Sequence, residues 1–591
     1  MARIYLNLPC STSNGKNAYS IWKWLFMGLV LLILLFVVVP FPSISKSLYS
    51  SHVNEISAEL HYGIVIDCGS SGSRVYVYFW PSHSGNPKDL LRIQQLHDEK
   101  GEAVVKKVSP GISSFENNPD AASDHIKELL LFAAQYIPEE KHAETCLHVM
   151  ATAGMRMLPE SAQKAILEDL KRDVKKDFKF IAPDNHFEVI TGKQEGVYAW
   201  VAINYVLDRF SHSALPLGHD TVSIVHNEKS KTVTHTRKRT VGIIDMGGGS
   251  VQIAFEVTDQ DQIKNIPSPL ISEINLGCQD SDLEHSYKIY VTTFLGYGAN
   301  SARERYENML IQETKSKSQR ITEDGTIRDV CLPPGMSLSG KDALGHQHQF
   351  LGTGDFSACE TALEPLMNLT EPCLKSPCSI NGIHQPRIDM SSQFYGFSEF
   401  WYSTEDVFKM GGLYDYWTFQ KKAKDFCSTP WNKLQGWYKD GNYPKADEHR
   451  FRFQCFKSAW MAQIFHRGFS FPTSFKHLVS AQLVNGKDVG WTLGALIYKT
   501  RFLPLRDIEH TNTQMATSWQ RASRALDTQF LMAACVIVVL AAIFLYMKHL
   551  KWCPRTEDLK RVPSMTYFMT EQDQMEQGVK NEIAKGQSYT I

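Results

Sequence analysis

The sequence predicts an α/β fold made of two lobes, chiefly because two related loops occur in it. The first loop lies in the segment 63–74, GIVIDCGSSGSR, and the second lies in the segment 241–252, VGIIDMGGGSVQ. In each, a run of β-branched apolar residues ends at an aspartate, Asp67 or Asp245, and a tight turn of small residues follows. Strand and helix patterns alternate between the loops, which is typical of α/β proteins. One such loop in each half of the chain indicates two lobes that face each other.

The composition of the loops indicates phosphate binding. A turn without bulky side chains exposes its backbone N–H groups, and such a nest of donors binds phosphate, with serine hydroxyls as further donors. The aspartate would repel phosphate, so we expect it to hold a divalent cation, directly or through water, against the phosphate oxygens. A single loop of this kind is equally compatible with an ordinary strand and turn. The pair predicts a shared polyphosphate site.

The predicted first lobe, residues 61–207, alternates strands with helices whose apolar residues recur at helical spacing. After the first loop the expected elements are a strand at 75–80, a helix at 121–136, a strand at 146–150, a helix at 160–174, a strand at 187–190 and a helix at 192–207. Residues 208–238 are rich in Ser, His, Thr and Lys with little periodicity, which favours an exposed insertion.

The predicted second lobe, residues 239–485, begins with the strand of the second loop. The expected features that follow are the segment 294–298, a cysteine-bearing loop region at 331–386, an aromatic strand at 394–402, and helices at 404–410, 418–426 and 455–465. The segment 486–510, in which a helix is expected to start at Gly490, is predicted to return to the first lobe.

Both ends of the chain carry long apolar segments, residues 24–41 and 530–547. Each is long enough to cross a bilayer and has its basic flank on the terminal side, which predicts two transmembrane helices. The tails, residues 1–23 and 548–591, would then be cytosolic, and the bulk of the chain, beginning with a stalk at 42–60, would be lumenal or extracellular. Cleavage after the first segment and a buried core helix are the alternatives.

Composition excludes some function classes and indicates an oxidising compartment. The net charge is -1, and no basic stripe with interleaved aromatic residues supports nucleic-acid binding. Nine of the twelve cysteines lie between the apolar segments, where disulfides are permitted. This odd number leaves a free thiol, and Cys68 is the expected one. A zinc site at Cys373 and Cys378 lacks partners at the usual spacing. Asn368 begins a glycosylation sequon.

Taken together, these residues resemble the ecto-nucleoside triphosphate diphosphohydrolases, or apyrases, of the actin, sugar-kinase and chaperone ATPase superfamily. The matching motifs are, in order, residues 67–74, 151–156, 192–196, 245–252, and 397–402 with 491–494. The segments 192–200 and 500–507 are similar to the Golgi and lysosomal branch, which has two membrane spans. The resemblance implies a two-lobed actin/sugar-kinase-like (ribonuclease H-like) fold with two phosphate-binding loops.

The resemblance also implies a role for each matching residue. Glu195 matches the catalytic base, Tyr402 the aromatic ring that stacks on the nucleobase, and Arg450 a cation on the other face of the base. The implied phosphate ligands are Ser70, Ser71, Ser73, Gly247, Gly248, Gly249 and Ser250. The residues implied to hold one Ca²⁺ or Mg²⁺, mostly through water, are Asp67, Asp245, Thr152, Gln252 and Trp491.

Several of these residues have ordinary structural alternatives. Glu195 is also placed as a helix N-terminal carboxylate stabilised by the helix dipole, and Thr152 as a helix cap. Trp491 and Tyr402 are also compatible with core aromatics. Arg156 is more often a structural ion-pair partner than a phosphate ligand, and we leave it outside the predicted catalytic set.

The chain departs from the family pattern at three positions. Glu399 stands where better-known members carry a small residue, which indicates different base recognition. Gly296 replaces a cysteine, so Cys359, which would match its partner, is expected to be unpaired or differently bridged. Ser281 lies where a base-side arginine is expected, which weakens the case for a purine preference. The candidate disulfides are Cys278–Cys331, Cys373–Cys378 and Cys427–Cys455.

The resulting hypothesis is a membrane-anchored lumenal nucleotidase of Golgi or endo-lysosomal membranes. It would hydrolyse terminal phosphates of nucleoside di- and triphosphates such as UDP, UTP, GTP and CTP, with Ca²⁺ or Mg²⁺ and without a phosphoenzyme. Its transmembrane helices offer a surface for oligomerisation. A kinase of the same superfamily is disfavoured by the anchors, cysteines and sequon. A catalytically silent nucleotide-binding scaffold is the alternative from another class, and the intact acidic residues and loops argue against it.

Overall fold

Alternate residues of the buried strands face two different cores, and this arrangement organises the molecule. The computed structural model describes residues 60–82, 90–211, 220–228, 231–276, 286–316, 325–341, 345–373 and 375–500. Before the first loop, Ile64 and Ile66 pack into one buried cluster and Val65 packs into another. Before the second loop, Ile243 and Ile244 divide between clusters in the same way. A strand covered on both faces reads as an unbroken apolar run, which is the pattern in the sequence.

The first sheet brings the ends of three parallel strands to one edge. Its strands are β1 (Leu60–Gly69), β2 (Gly72–Pro81), β3 (Gln94–Gln95), β4 (Val105–Val108), β5 (Cys146–Ala151) and β6 (Phe187–Val189), with helices α1 (Ala122–Ala134), α2 (Ala153–Arg156), α3 (Glu160–Asp177) and α4 (Gly192–Val206) between and after them. The strand order is β3-β2-β1-β5-β6, with β4 paired to β2. Because β5 is parallel to both β1 and β6, the turns after these three strands lie side by side.

The segment 208–238, predicted to be an insertion with little periodicity, contains a regular antiparallel hairpin. Its strands are β7 (Thr221–Glu228) and β8 (Lys231–Lys238). The hairpin is attached to the body of the protein at its base, where buried Arg237 hydrogen-bonds to Glu256 and lies 4.2 Å from the centre of the Tyr287 ring. The strands are rich in threonine and valine, which favour extended backbone, but no clear apolar face marks them in the sequence.

The second sheet has seven strands. The remaining strands of the chain are β9 (Gly242–Met246), β10 (Ser250–Glu256), β11 (Ile271–Asn275), β12 (Ser286–Leu295), β13 (Ile327–Asp329), β14 (Ser337–Lys341), β15 (Gln347–Gly352), β16 (Phe394–Ser398), β17 (Gly412–Leu413), β18 (Leu478–Ser480), β19 (Leu483–Val484) and β20 (Lys487–Asp488). The large sheet has the order β11-β12-β10-β9-β16-β18-β17. Its strands β9 and β16 are parallel, with Asp245 beside Phe397, so their ends also share an edge.

Two helices pack between the sheets. The remaining helices are α5 (Gln260–Ile263), α6 (Ala299–Ser316), α7 (Phe356–Leu363), α8 (Glu399–Trp401), α9 (Tyr416–Ser428), α10 (Trp431–Lys439), α11 (Glu448–Arg452), α12 (Gln454–Gln463) and α13 (Trp491–Thr500). Thr492 of α13 hydrogen-bonds to Tyr78 of the first sheet over 2.8 Å. Gly196 of α4 lies against Val291 of the second sheet, and α4 and α13 pack on each other where Gly494 allows close approach.

Three elements of the second half differ from the sequence predictions. The region 331–386, predicted as loop, contains strands β14 and β15 and helix α7. The aromatic strand stops at Ser398 because this residue takes a positive φ of 55°, which extended backbone does not tolerate. The helix predicted at 404–410 is instead a π-helical turn at Tyr402–Asp406.

The disulfide pattern corrects one predicted pair. Cys331 is bridged to Cys359, so the predicted pair Cys278–Cys331 is wrong, and Cys278 itself lies outside the described residues. Cys359 is therefore differently bridged. The pairs Cys373–Cys378 and Cys427–Cys455 are bridged in the structure, and Cys68 is a buried free thiol, as expected.

The two predicted membrane helices, at 24–41 and 530–547, lie outside the described residues, as do the stalk and both tails. Among the residues that are described, no helix combines the length and the apolar character needed to cross a bilayer.

Candidate active site

The two glycine- and serine-rich loops lie directly against each other. A Cβ atom added to Gly248 of the second loop would lie 2.8 Å from Oγ of Ser70 in the first. A Cβ added to Gly249 would lie 3.7 Å from Cβ of Ser70 and 2.9 Å from Cβ of Ala153, which follows β5. The absence of side chains on Gly248 and Gly249 is therefore what lets the loops approach. The two loops therefore meet, as the sequence predicts for lobes that face each other.

Asp67 and Asp245 are half-buried and lie at the carboxyl ends of the strands that lead into the two loops. The pKa of Asp67 is raised to about 7, chiefly by burial, with a contribution from the neighbouring carboxylates of Glu195 and Asp245 and against the opposing effect of Arg74. Burial also raises the pKa of Asp245 to about 6, against a hydrogen bond from Ser398. Desolvation dominates at both groups because a buried charge has lost its hydration.

One oxygen of each aspartate lacks a partner. Oδ1 of Asp67 and Oδ1 of Asp245 are buried and accept no hydrogen bond. A buried carboxylate oxygen without a donor is unfavourable, and a divalent cation with its water shell would satisfy both. Within the described ranges, no three His, Cys, Asp or Glu side chains are arranged to hold a metal ion. The donors fit an ion that keeps most of its water ligands.

Glu195 lies in the first turn of α4, which follows β6 at the same sheet edge. A capping box fixes this helix start, since the side chains of Thr191 and Gln194 each bond to the backbone of the other. The carboxylate is not simply a dipole-stabilised surface group, because Glu195 is only 9% exposed. Its Oε2 accepts hydrogen bonds from Arg156 at 2.9 Å and from Gln252 at 3.0 Å.

Gln252 joins the second loop to Glu195. It lies directly opposite Asp245 in the antiparallel pair β9–β10. Its Nε2 donates to Glu195, to Ser250 Oγ at 2.7 Å and to Thr293 Oγ1 at 3.2 Å. The register therefore places the predicted base, one predicted phosphate ligand and one predicted metal-site residue in a single network.

Thr152 and Trp491, two residues predicted to lie near the metal, are positioned by the elements that carry them. The N–H of Thr152 donates to the carbonyl of Cys68 over 3.1 Å, which ties the turn after β5 to the first loop. The Thr152 side chain makes no helix-capping hydrogen bond, so the capping alternative is not observed. Trp491 begins α13 and is buried in the cluster between the sheets. Its contact with hydrated metal stays a prediction.

The three serines of the first loop differ in position. Ser70 faces the second loop, and Ser71 is exposed. Ser73 is fully buried, and its Oγ has no hydrogen-bond partner among the described residues. The hydroxyl of Ser73 is therefore not open to the cleft as the predicted phosphate-binding role requires, because β2 turns this side chain into the core.

The predicted base-binding residues contact each other. The guanidinium carbon of Arg450 lies 3.5 Å from the centre of the Tyr402 ring, so no gap separates them. Arg450 is held there by Asp406 at 3.1 Å and Asp447 at 3.4 Å. The prediction that they flank a nucleobase on opposite faces does not describe this arrangement, in which the cation occupies the ring face itself.

The sequence departures have structural consequences. Glu399 is buried and pairs with Lys457 at 3.0 Å, with a further bond from Ser403. Its charge is therefore compensated inside the protein. Ser281 lies outside the described residues. Gly296 has a φ of +83°, a conformation that disfavours other residues.

Two residues near the loops, Ser398 and Lys107, were not among the residues that the sequence predicted for the site. Ser398 bonds to Asp245 from a strained backbone position, and its place in the motif 397–402 was the available signal. Lys107 is opposite Arg74 across β2 and β4, with its Cε 2.8 Å from a Cβ added to Gly72. Burial lowers the pKa of Lys107, as do the neighbouring cations. Nothing in the sequence around Lys107 marks it.

Comparison with known proteins gives a consistent result. The GDA1/CD39 (nucleoside phosphatase) family profile matches residues 53–518. The chain is 46% identical over 530 residues to ectonucleoside triphosphate diphosphohydrolase 4 of Homo sapiens, covering 85% of this chain and 84% of the relative. It is 44% identical over 590 residues to ectonucleoside triphosphate diphosphohydrolase 7 of Homo sapiens, covering 93% and 95%.

More distant matches agree. The chain is 36% identical over 497 residues to nucleoside-diphosphatase mig-23 of Caenorhabditis elegans, covering 82% of this chain and 86% of the relative. A solved structure of nucleoside triphosphate hydrolases from Neospora caninum superposes with a TM-score of 0.51 at 15% identity, covering 78% of this chain and 97% of the other. At that identity the likeness concerns the fold alone.

Proposed function

This chain belongs to the GDA1/CD39 (nucleoside phosphatase) family, and from that premise we propose that it cleaves the terminal phosphate from nucleoside di- and triphosphates by cation-dependent attack of water. The protein is a hydrolase of phosphoric anhydrides with a nucleotide substrate. The observation that carries the finer proposal is the contact of the two loops above the unpartnered oxygens of Asp67 and Asp245.

The loops would bind the phosphate chain. The backbone N–H groups of Gly248, Gly249 and Ser250 and the hydroxyls of Ser70 and Ser71 are the proposed donors, since small residues leave the amides accessible. The N–H of Gly247, also predicted to bind phosphate, donates instead to the carbonyl of Ser250 over 3.0 Å. Because the loops approach from opposite sides, the phosphate chain would be held in line for attack. These fixed donors would stabilise charge as it develops on the transferred group.

Asp67 and Asp245 would hold the cation, mostly through water, with Thr152, Gln252 and Trp491 around its hydration shell. When bound, Ca²⁺ or Mg²⁺ supplies positive charge against the phosphate oxygens. Burial has already removed much of the water from both carboxyl groups, so a cation offers them the compensation that the protein does not.

Glu195 would act as the general base. Its carboxylate accepts a hydrogen bond from Gln252 of the second loop and shares the donor Arg156 with Ser250, so a water above a bound terminal phosphate would be within its reach. We expect Glu195→Gln to lower kcat at least 10³-fold while nucleotide and cation still bind. Near-normal hydrolysis by this variant would remove Glu195 from the mechanism. Unchanged turnover after treatment with a chelator would show that the reaction does not require the cation.

The proposed substrates are uridine, guanosine and cytidine nucleotides. Ser281 in place of an arginine and the internally paired Glu399 support a base site unlike that of better-known members. Phosphate release from UDP, UTP, GTP, CTP and ATP by the purified full chain tests this preference. A dominant activity on ATP would contradict it.

We further propose that the catalytic region is lumenal, between two membrane helices of Golgi or endo-lysosomal membranes that also permit oligomerisation. Three disulfides support an oxidising compartment. Asn368 lies on a turn with a φ of 47° and is partly exposed, which suits glycosylation. A mobility shift on glycosidase treatment, lost in Asn368→Gln, tests the topology.

The alternative function, a catalytically silent scaffold, would bind nucleotide without releasing phosphate.

A further inference from the structure

Arg156 is a buried arginine at the cleft that the predicted mechanism does not use. It is the last residue of α2 and is only 3% exposed. Its Nη2 donates to Oε2 of Glu195 at 2.9 Å and to Oγ of Ser250 at 3.2 Å, and its Nη1 donates to the carbonyl of Ile190 at 3.0 Å. The guanidinium therefore spans three segments of the chain that are far apart in sequence.

These three segments are the parts that must be aligned for water attack. Arg156 itself follows β5, Ile190 follows β6 and leads into the helix of Glu195, and Ser250 ends the second phosphate loop. A guanidinium presents its donors in a fixed planar fork, so contacts in two directions define its orientation. The fork of Arg156 thereby fixes the carboxylate of Glu195 relative to Ser250.

The hydrogen bonds distinguish the two oxygens of Glu195. Among the described residues, the donors to this carboxylate are Arg156 and Gln252, and both reach Oε2. Oε1 is then the oxygen left to accept a proton. A carboxylate with one oxygen held by two donors has a single orientation for the other.

We infer that Arg156 is a positioning residue of the hydrolytic reaction, which holds Oε2 of Glu195 so that Oε1 receives the proton of the attacking water. This inference rests on the proposed role of Glu195 as base. In the step, the water oxygen forms a bond to the terminal phosphorus, the water proton passes to Oε1, and the anhydride P–O bond breaks. The electron pair of that bond leaves with the shortened nucleotide, and inorganic phosphate is released.

A purely structural ion pair has different consequences. Breaking a buried pair leaves an uncompensated charge and lowers stability, whichever pair it is. Arg237 provides the matched control, because it is equally buried and pairs with Glu256 away from the cleft. Only loss of Arg156 should change turnover beyond what loss of stability explains.

The test compares Arg156→Met, Arg156→Lys, Arg237→Met, Glu195→Gln and the double variant Arg156→Met/Glu195→Gln in the purified full chain, with nucleoside diphosphate hydrolysis and thermal melting as readouts. We expect Arg156→Met to lower kcat at least 100-fold with KM within threefold of the parent. Arg156→Lys should recover part of that loss, because it restores the charge without the fork. Arg237→Met should keep kcat within threefold.

The double variant separates positioning from an independent effect. Groups that act as one unit give non-additive losses, so Arg156→Met should lower the residual kcat of Glu195→Gln by less than threefold. The inference would be overturned if the double variant lost the product of the two single losses in kcat. It would also be overturned if Arg156→Met kept kcat within tenfold of the parent, or if its KM rose without a fall in kcat. If Arg156→Met does not fold, Arg156→Lys tests the inference in its place: a lower kcat with an unchanged KM supports it, and a higher KM with an unchanged kcat overturns it. Near-normal activity of Glu195→Gln would instead overturn the base assignment itself.

Discussion

At the level of single residues, glycine positions decide how closely the two glycine- and serine-rich loops approach. Gly248 and Gly249 face the first loop, while Gly298 lies behind the second loop. A Cβ added to Gly298 would lie 2.5 Å from the backbone N of Gly249, a distance that Cβ atoms do not tolerate. The position of the second loop therefore depends on a residue that lies outside both loops.

This dependence gives a testable prediction for Gly298→Ala. We expect the added methyl group to displace the second loop and to lower kcat at least tenfold, because small misplacements of catalytic groups are costly. Gly436→Ala is the matched control, since no atom lies within 4 Å of its added Cβ and it lies inside α10. This control should stabilise the protein by about 0.5–1 kcal/mol. Unchanged kcat in Gly298→Ala, with normal melting, would contradict the prediction.

At the level of elements, parallel strands bring the site together. The carboxyl end of β1 carries Asp67, and the segments after β5 and β6 lead to Thr152 and Glu195. In the second sheet, the ends of β9 and β16 supply Asp245 and Ser398. Ligand sites of open α/β sheets lie at the carboxyl ends of the strands, and the proposed site residues of both sheets lie at such ends.

The disulfides are expected to stabilise their elements unequally. Cys427–Cys455 ties α9 to α12 across 28 residues, whereas Cys373–Cys378 spans 5. Loop-closure entropy makes the longer bridge worth about 3.6 kcal/mol and the shorter about 2 kcal/mol. We expect the double variant Cys427→Ala/Cys455→Ala to lose more stability in denaturant than Cys373→Ala/Cys378→Ala. The reverse order would show that this entropy does not dominate.

Buried His148 on β5 and half-buried His186, just before β6, form a stacked pair that predicts acid sensitivity. The rings of His148 and His186 stack 3.8 Å apart, and burial, with the neighbouring His186 and Lys499, holds the pKa of His148 well below its usual value. Below about pH 6.5, His148 becomes protonated in the unfolded chain but stays neutral in the folded protein. Stability is thus intact above that pH and falls as the pH drops further, by up to about 1.4 kcal/mol per unit.

Denaturant unfolding between pH 7 and pH 5 measures this effect. His148→Gln should flatten the dependence of the unfolding free energy on pH, whatever its stability at pH 7. Exposed His97, whose ring bonds only to a backbone carbonyl, provides the control substitution His97→Gln, which should leave the slope unchanged. Equal slopes in the parent and His148→Gln would contradict the prediction.

At the level of the whole molecule, the described chain from Tyr62 onward is one compact unit in which α4 and α13 pack between two sheets. Both sheets therefore share a core directly behind the cleft. A ligand that joins the loops of both sheets should stabilise the molecule as a whole, because it binds the folded state alone.

Cation binding offers a measurement independent of turnover. We expect Ca²⁺ or Mg²⁺ alone to raise the melting temperature of the parent, with about 2.7 kcal/mol gained when the cation is at 100 times its dissociation constant. The variant Asp67→Asn/Asp245→Asn should lose this response, because neutral amides replace the two carboxyl groups. Asp261→Asn, an exposed aspartate on α5, should retain it. An equal response in all three proteins would exclude the proposed cation site.

Sequence by itself determined the local parts of this protein: the two loops, the strands before them, most helices of the first half and the acidic residues of the cleft. These follow from short-range spacing, since period, turn composition and helix caps act within a few residues. The resemblance supplied Glu195 as the proposed base, and the comparisons confirmed the family.

Tertiary structure alone decided which side chains meet. The fork of Arg156 on Glu195, the contact of Arg450 with Tyr402, the burial of Ser73 and the bridge from Cys331 to Cys359 all join or separate residues by packing. No local pattern encodes them, because register and the orientation of strands and helices are set by how whole faces are buried. Function in this molecule depends on both: local sequence supplies the chemical groups, and the shared core fixes the distances between them.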